Sequence, residues 1–268
     1  WGPPPLLDRV IFLYIPDNNS RVLALQSGDI DLAWYISPEG VATVKSDPKL
    51  TVRAGVPVAL SFMYLNHRRG PWKDLRVRQA IALGIDRAAL VRGVVQGQGT
   101  AAIGPFPPVM MSCHELRGYP FDPARSKELL AQAGYQDKDG DGYVEKDGQT
   151  LTMTLLTYRQ RAELVPMAEA SQASLKAIGV KVNVLMAENI NAALQQADWD
   201  SALYNNNMVA TGDPYWTLSQ FFTTGGSANR GGFSSPRVDA LTRQVGQATE
   251  RHTREQLACA ASQAIVDD

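Results

Sequence analysis

The stretch that decides the fold is "LTMTLLTYRQRAELVPMAEASQASLKAIGVKVNVLM", residues 151–186. Residues 151–158 are rich in leucine and threonine and are typical of a strand. Residues 165–179 have a helical apolar pattern with Gly179 as its stop, and residues 180–186 are a second strand pattern. Strand–helix–strand units pair their strands in parallel, because the crossover helix returns the chain to the same edge. This segment therefore predicts an α/β fold.

Working outward, the same patterns predict further elements on both sides. Strands are predicted at 9–15, 29–36, 50–56, 59–66 and 200–206. Helices are predicted at 18–27, capped by Asn and Ser, and at 37–47, 72–85, 86–95, 122–134, 189–199, 235–249 and 252–267. Two long loops are predicted, at 97–120 and 207–235, and loops of that length are usually functional or pack over another part of the protein.

Composition excludes several classes of protein. The 268 residues are 44% hydrophobic and 20% charged, with a formal charge of −1. Neither a basic excess nor a basic tract indicates nucleic acid or an anionic membrane, and the apolar runs are too short for a transmembrane helix. We expect a globular protein that does not bind nucleic acid.

Both ends of the sequence have the character of internal segments. The first residue is Trp1, without a recognisable signal peptide, and "REQLACAASQAIVDD" (254–268) keeps a helical pattern without a stop signal. We expect the chain to be a fragment of a longer protein.

The cysteines and histidines do not have the spacing of a metal site. Cys113 and Cys259 are far apart in sequence, and the interpretation favoured by spacing is two separate thiols, with a disulfide as the alternative. His67, His114 and His252 are scattered, so a zinc site built by the protein is not expected.

Six segments, in order, resemble one family: the solute-binding proteins of peptide and nickel transporters, known as family 5 extracellular solute-binding proteins of ABC transporters. The segments are "RVIFLYIPDNNSRVLALQSGDIDLAWYI" (9–36), "LRVRQAIALGIDRAALVRGVVQGQGTAAIGPFPP" (75–108), "YPFDPARSKELLAQAGY" (119–135), "DKDGDGYVEKDG" (137–148), "LVPMAEASQASLKAIGVKVNV" (164–184) and "FSSPRVDALTRQVGQAT" (233–249). The match covers nearly the whole chain.

The resemblance implies a type II periplasmic-binding-protein fold, with a ligand clamped between two lobes and delivered to an ABC transporter permease. Residues 1–62 would be a segment of the discontinuous first lobe, and residues 63–268 the second lobe with its C-terminal end truncated. It implies a monomer, periplasmic or extracellular and membrane-associated, that binds without catalysis and has no covalently bound cofactor.

Residues 157–175, "TYRQRAELVPMAEASQASL", resemble the nickel or metal-chelate branch, whose version is "TYxxRPELPxxAEA". The matching residues are Tyr158, Arg161, Glu163, Leu164 and Pro166, and Ala162 departs from the usual proline. Arg161 is the leading candidate for ligand contact, because its planar fork of donors fits a carboxylate of a metal chelate or metallophore. The alternative is that Arg161 pairs on the surface near Glu163.

The second candidate segment is "NNNMVATGDPYW", residues 205–216. The dipeptide binders of the family have, at the position of Ala210, an aspartate that pairs with the ligand's amino group. The classical nickel binder has aromatic residues at the positions of Met208 and Gly212. This chain therefore matches neither well-described pocket. A neutral polar wall is predicted instead. The further candidates are Asn206, Asn207, Met208, Tyr215, Trp216, Asn229 and Arg230. The alternative for the asparagine cluster is an ordinary loop feature. For Tyr215 and Trp216 it is a role as core anchors, and for Asn229 and Arg230 it is a solvated glycine-rich turn.

The predicted function is capture of a nickel or other metal chelate, so that nickel enters as part of the ligand. The alternative within the family is a dipeptide or oligopeptide binder. An enzyme would need convergent groups, and Asp213, His114 and Ser234 have no supporting motif. A sensor or chaperone with the same fold stays open.

The acidic stretch 137–148 begins as a calcium loop does. Asp137, Asp139 and Asp141 fit positions 1, 3 and 5, but Gly148 replaces the bidentate glutamate at position 12. A strand pattern also follows where a helix is needed. We interpret the stretch as a tight turn and hairpin, with weak calcium binding as the alternative.

Overall fold

The computed structural model describes every residue except Trp1, Pro3, Ala54, Val56, Pro57, Ser112 and Val209. The chain separates into two compact units, residues 1–54 and 55–268. The boundary between first-lobe and second-lobe segments drawn from the resemblance, at 62/63, falls inside a strand of the second unit, and the lobe assignment stays a prediction.

The first unit contains two helices, α1 (Asn18–Ser27) and α2 (Pro38–Lys45). The cap of α1 is Asp17, whose side chain accepts from the Ser20 N–H, rather than the predicted Asn and Ser. Gly28 ends α1 in the left-handed conformation, with φ of 82°. Ser37 caps α2 and Pro38 begins it, as predicted.

The strands predicted at 9–15 and 29–36 are wrong: these residues have no strand conformation, and Phe12 is 91% exposed. A strand is stable only when a neighbouring strand completes its hydrogen bonds. Among the described residues no strand pairs with either run, and the N–H groups of Asp29 and Ile30 donate instead to the Ala24 carbonyl at the end of α1. The strand predicted at 50–56 falls partly on Ala54 and Val56, outside the described residues.

The second unit is built on one four-stranded sheet. Its strands are β1 (Ala59–Leu65), β4 (Thr152–Thr157), β5 (Lys181–Met186) and β6 (Ser201–Asn207), in the order β1-β6-β4-β5. β4 is parallel to β5 and to β6, and β1 is antiparallel to β6. The parallel pair predicted from the opening stretch is confirmed.

Helices surround this sheet and contain the apolar faces that the sequence pattern predicts. They are α3 (Leu75–Gly84), α4 (Arg87–Gly93), α5 (Pro123–Gln132), α6 (Leu164–Lys176), α7 (Ile190–Ala193), α8 (Pro214–Thr217), α9 (Pro236–Gln247) and α10 (Arg251–Asp267), with a 3₁₀ turn at Gly70–Lys73 and a π-helical turn at Leu218–Phe222. Asp74, Asp86 and Asp122 cap α3, α4 and α5 through their side chains. Among the described residues no helix is long and apolar enough to span a membrane.

The buried apolar residues within the described part of the chain form two clusters. The larger lies between the sheet and α3, α5 and α6, and includes the fully buried Leu155 and Leu164. The smaller joins the loop at 97–120 to the last two helices and includes Met111 and Ala261. Burial at this scale supplies most of the stabilisation of a domain.

The favoured interpretation of the cysteines is wrong, because Cys113 and Cys259 form a disulfide with a Cα–Cα distance of 5.4 Å. The bond joins the loop at 97–120 to α10. Sequence spacing could not predict it, because only the packing of the smaller core brings residues 146 positions apart within bonding range.

Candidate functional site

β4 and β6 are neighbouring parallel strands, and β4 ends first, level with the middle of β6. Leu155 is opposite Ser201 and Leu156 opposite Ala202 in their register. The turn that follows β4, residues 158–163, therefore lies next to the last residues of β6. In open α/β sheets ligands bind outside the carboxyl ends of the strands. We call residues 158–163 and 205–208 the strand-end site.

A hydrogen bond joins the two halves of the strand-end site. The backbone N–H of Asn205 donates to the Tyr158 hydroxyl oxygen over 3.2 Å. Tyr158 is buried, and its ring lies 5.8 Å from that of Tyr204. Burial raises the pKa of Tyr158, so its hydroxyl stays protonated and able to donate at neutral pH.

Arg161 lies in the turn of the strand-end site and is half-buried. Its backbone carbonyl accepts from the Leu164 N–H, which fixes the turn to the start of α6. The Arg161 charge also acts on the Tyr158 hydroxyl, where it opposes part of the burial effect on the pKa. Arg161 and Tyr158 therefore belong to the same turn, and the Arg161 charge is felt at the Tyr158 hydroxyl.

The three asparagines have different environments. Asn205 donates from its amide to the Ser61 hydroxyl over 2.8 Å and to a Glu163 carboxylate oxygen over 3.4 Å. Asn206 is half-buried, and its side-chain oxygen accepts from the Asn207 N–H over 2.8 Å. Asn207 is exposed at the end of β6. Asn206 and Asn207 thus lie at the strand end, where the neutral wall is predicted.

Met208 is 1% exposed, which places its side chain in the protein interior. Its backbone is held from both sides, since the N–H donates to the Val58 carbonyl and the carbonyl accepts from the Thr217 hydroxyl over 2.5 Å. In this conformation Met208 has no side-chain surface to offer a ligand.

Tyr215 and Trp216 lie in α8, within the segment predicted as a loop. The Tyr215 ring packs on α9 so closely that a Cβ added at Gly246 would be 2.7 Å from it. The Trp216 ring lies 5.9 Å from the Phe221 ring. Both make the contacts of anchors, while Tyr215 keeps 42% of its surface exposed.

The Asn229 side chain holds the glycine-rich loop together. Its amide donates to the Thr223 and Phe233 carbonyls over 2.9 and 2.7 Å, and its oxygen accepts from the Phe233 N–H. The backbone carbonyl of neighbouring Arg230 accepts from Arg68 over 2.7 Å. Asn229 is thus fully used inside the loop, whereas the Arg230 charge acts on the Tyr64 hydroxyl.

Aromatic rings that the sequence pattern does not single out connect the strand-end site to α8. The Phe62 ring lies 6.1 Å from Tyr204 and 6.3 Å from Phe221, and Tyr64 lies 4.9 Å from Phe62. Phe62 and Tyr64 are two positions apart on β1 and therefore share a face. The two aromatic residues at alternate positions of "ALSFMYL" (59–65) are the sequence signal from which this aromatic face could have been predicted.

The acidic stretch forms the predicted hairpin, in which β2 (Glu145–Lys146) pairs with β3 (Gln149–Thr150). Its turn residues Asp147 and Gly148 both have positive φ, as a two-residue hairpin turn requires. Ligand oxygens of Asp137, Asp139 and Glu145 lie within 4.8 Å of one another. Both Asp137 carboxylate oxygens already accept hydrogen bonds from backbone N–H groups of the same turn, which supports the turn interpretation. The calcium alternative stays a prediction.

The residues considered for an enzyme do not converge. His114 lines a cavity of about 260 Å³ beside the disulfide, and Ser234 lines another of about 440 Å³ with His67 and Arg78. Asp213 is paired with Arg254. Asp213, His114 and Ser234 therefore lie at three separate places and do not bring a nucleophile and a base together.

Comparisons with known proteins agree with this arrangement. A sequence model of the family described as "Bacterial extracellular solute-binding proteins, family 5 Middle" matches residues 1–229. Heme-binding protein A of Haemophilus influenzae is 28% identical over 269 residues, covering 96% of this chain and 46% of that protein. Di/tripeptide-binding protein 2 of Pseudomonas aeruginosa is 31% identical over 185 residues, covering 69% and 33%.

A solved structure shares the fold over the whole chain. NikA from Brucella suis, in complex with Fe(III)-EDTA, superposes with a TM-score of 0.85 and 26% identity, covering 100% of this chain and 55% of that one. The chain thus spans about half, or less, of the length of these three proteins. The type II periplasmic-binding-protein fold is confirmed, and the chain belongs to family 5 of the bacterial extracellular solute-binding proteins.

Proposed function

We propose that this chain is part of the solute-binding component of an ABC importer, which captures a nickel or other metal chelate, or a metallophore, and delivers it to a membrane permease. Residues 1–62 would belong to the first lobe and residues 63–268 to the second. The protein would act as a monomer on the periplasmic or extracellular side of the membrane, without catalysis. Nickel would be part of the ligand and not a resident cofactor.

The observation that carries this proposal is the meeting of the Arg161 turn with the last residues of β6, joined by the Asn205–Tyr158 hydrogen bond. This meeting supports the proposal, because a turn that carries a cation and a protonated hydroxyl lies next to a strand end that carries neutral amides, and α/β sheets bind ligands outside the carboxyl ends of their strands. This donor set suits a carboxylate, which accepts two parallel hydrogen bonds from a guanidinium.

The mechanism would be selective stabilisation of one conformation. A ligand favours the conformation with which it makes the stronger contacts, and the permease would recognise that conformation. Arg161 and Tyr158 would bind the carboxylates of the chelate, and Asn206 and Asn207 its neutral polar edge. Tyr215, Trp216 and Arg230 would lie at the margin, whereas Asn229 would act through the loop that it holds.

A dipeptide or oligopeptide is the second candidate ligand. The observation that favours it is the 31% identity to a protein named as a di/tripeptide-binding protein. A peptide also ends in a carboxylate, so Arg161 would have the same role with either ligand.

Isothermal titration calorimetry on the protein at its natural full length tests the proposal. The titrants are Ni²⁺ with free L-histidine and a panel of dipeptides. We expect the nickel–histidine complex to bind more tightly than any dipeptide. Tight binding of a dipeptide, without binding of the chelate, would replace the first ligand class by the second.

The variant Arg161→Ala tests the carboxylate contact. Loss of a charge-assisted hydrogen-bond pair costs about 1.5 to 3 kcal/mol, which weakens binding by about 10- to 100-fold. The matched control is Arg159→Ala, which removes an exposed arginine of the same turn. Equal dissociation constants for Arg161→Ala and the control would exclude Arg161 from the contact.

A further inference from the structure

We propose that the Cys113–Cys259 disulfide is a site of thiol exchange. A small thiol enters the cavity beside the bond, becomes attached to Cys113 and frees Cys259. Opening of the bond releases the loop at 97–120 from α10 and loosens the neighbouring segment 214–222. This inference goes beyond the proposed function and holds whether the ligand is a chelate or a peptide.

One sulfur of the bond can be reached from a cavity. Cys113 and Cys259 are both half-buried. Beside the bond lies a cavity of about 260 Å³, and among the described residues Cys113 lines it whereas Cys259 does not. The other lining residues are mostly apolar, with two polar members: Ile103, Phe106, Pro108, Met111, Leu116, His114 and Ser262. Since exchange depends on access to the sulfur that is attacked, the attacked atom is Sγ of Cys113.

The size of the cavity selects the class of reagent. A space of this volume admits a thiol as small as free cysteine, whereas the active site of a folded oxidoreductase does not enter it. The apolar wall favours the uncharged body of such a molecule over a strongly charged one. The reagent is therefore a small-molecule thiol.

The exchange consists of two balanced steps. The thiolate of the small thiol attacks Sγ of Cys113, so that a new S–S bond forms while the Cys113–Cys259 bond breaks. The electron pair of the broken bond goes to Sγ of Cys259, which then takes up a proton. A second molecule of the small thiol can remove the first as a disulfide, which leaves both protein cysteines reduced and the small thiol oxidised.

The loop depends on the disulfide because its hydrogen bonds are local. Within the described residues of 99–116 each recorded hydrogen bond has both partners in this segment, as when the Leu116 N–H donates to the Cys113 carbonyl. A hydrogen bond to α10 comes at Arg117, whose backbone N–H donates to Gln263 over 2.8 Å. Once the disulfide opens, only apolar packing holds this segment to the rest of the protein.

That packing is shared with the segment 214–222. Both cysteines pack against the smaller core, whose buried residues include Met111 of the loop and Leu218 of the π-helical turn. This core has fewer buried residues than the larger cluster, and regions with few buried apolar contacts open at a lower free energy. Release of the loop takes Met111 out of this core. The segment that contains Tyr215 and Trp216 then opens more readily.

Peptide mass spectrometry on the full-length protein tests the exchange under native conditions. The protein is incubated with L-cysteine, and free thiols are then alkylated with iodoacetamide. The variant Ile103→Trp narrows the cavity at a residue that lines it and is 57% exposed. The matched control is Val109→Trp, at a position of the same loop that is 53% exposed and does not line the cavity. Melting temperatures of both variants check the fold.

We expect the cysteine adduct on Cys113 and the alkyl group on Cys259. Ile103→Trp should slow the reaction by about tenfold or more and Val109→Trp by less than about twofold, because access limits the rate of exchange. An adduct on Cys259, a reaction that requires denaturant, or equal rates for the two variants would overturn the proposed site.

Hydrogen exchange measures the consequence for the fold. In the thiol-treated protein, backbone amides of 99–111 and 214–222 should exchange faster, while those of β4 and β5 should not change. The double variant Cys113→Ser and Cys259→Ser should reproduce this pattern without any thiol. Unchanged exchange in 214–222 would overturn the release of this segment, and faster exchange everywhere would show that the bond stabilises the whole unit instead.

Discussion

Arg254 and Asp213 form an ion pair that ties the segment after β6 to the last helix. Nη2 of Arg254 donates to both Asp213 carboxylate oxygens, over 2.7 and 2.6 Å. Nη1 donates to the backbone carbonyls of Val245 and Ala248. The same Asp213 carboxylate accepts from the Tyr215 N–H at the start of α8. One guanidinium therefore links the cap of α8, the end of α9 and α10.

Replacing Arg254 with methionine should lower the free energy of unfolding by about 2 kcal/mol. The loss is larger than for most ion pairs because the Arg254 side chain is only 21% exposed and four hydrogen bonds depend on it. Urea denaturation measures the change. The control is Arg251→Met on the same helix, where a side chain 91% exposed pairs with Glu255 and should contribute little, because solvent screens the pair. Equal effects would show that Arg254 acts as an ordinary surface residue.

Removing the disulfide with the double substitution Cys113→Ser and Cys259→Ser should cost about 2 to 4 kcal/mol of stability. The bond closes a long stretch of chain, and the folded protein keeps the loop at 97–120 on α10 through it. Thermal unfolding followed by circular dichroism, with and without a reductant, measures the effect. The wild type should melt at a lower temperature in reductant and the double variant should not respond. A wild type indifferent to reductant would contradict the stabilising role.

His67 should make the free energy of unfolding depend on pH. Burial, aided by the positive charge of Arg78, lowers the pKa of the His67 imidazole from 6.5 to about 4. The unfolded chain therefore takes up a proton between these values and the folded protein does not. This contribution is present above pH 6.5 and is lost as pH falls toward 4, on the order of 3 kcal/mol in total.

The variant His67→Gln should have a flatter dependence of unfolding free energy on pH across this interval. Denaturation at a series of pH values, on both proteins, measures the difference. Parallel curves for wild type and variant would show that the imidazole titrates in the same way in the folded and unfolded states.

Asn229→Ala should lower the free energy of unfolding and should not remove a direct contact to the ligand. The substitution removes three hydrogen bonds that hold the loop to the Thr223 and Phe233 backbone, at an expected cost of about 2 kcal/mol. The control is Asn206→Ala, which loses one local hydrogen bond and should cost below about 1 kcal/mol. A stable Asn229→Ala protein with abolished ligand binding would instead make Asn229 a direct contact.

The sequence alone determined the elements whose signals are local. Asp122, Pro123 and Gly134 bound one helix as their cap and stop preferences require, and the strand–helix–strand stretch at 151–186 predicted a parallel pair. Arg161 and Tyr158 could be proposed for the site because the short segment that contains them resembles the metal-chelate branch of the family. Each of these inferences depends on residues within one or two turns of each other, where backbone geometry is set by the side chains present.

Tertiary structure decided what depends on distant neighbours. Residues 9–15 have the composition of a strand, but without hydrogen-bonding backbone beside them they are not one. The sequence predicts Met208 as part of the neutral polar wall, but its side chain is buried in the folded protein. Its backbone carbonyl accepts a hydrogen bond from the Thr217 hydroxyl. The Cys113–Cys259 bond and the Glu163–Asn205 contact join positions far apart in the chain. Burial and pairing are properties of the packed chain, and no local pattern encodes which distant side chain completes them.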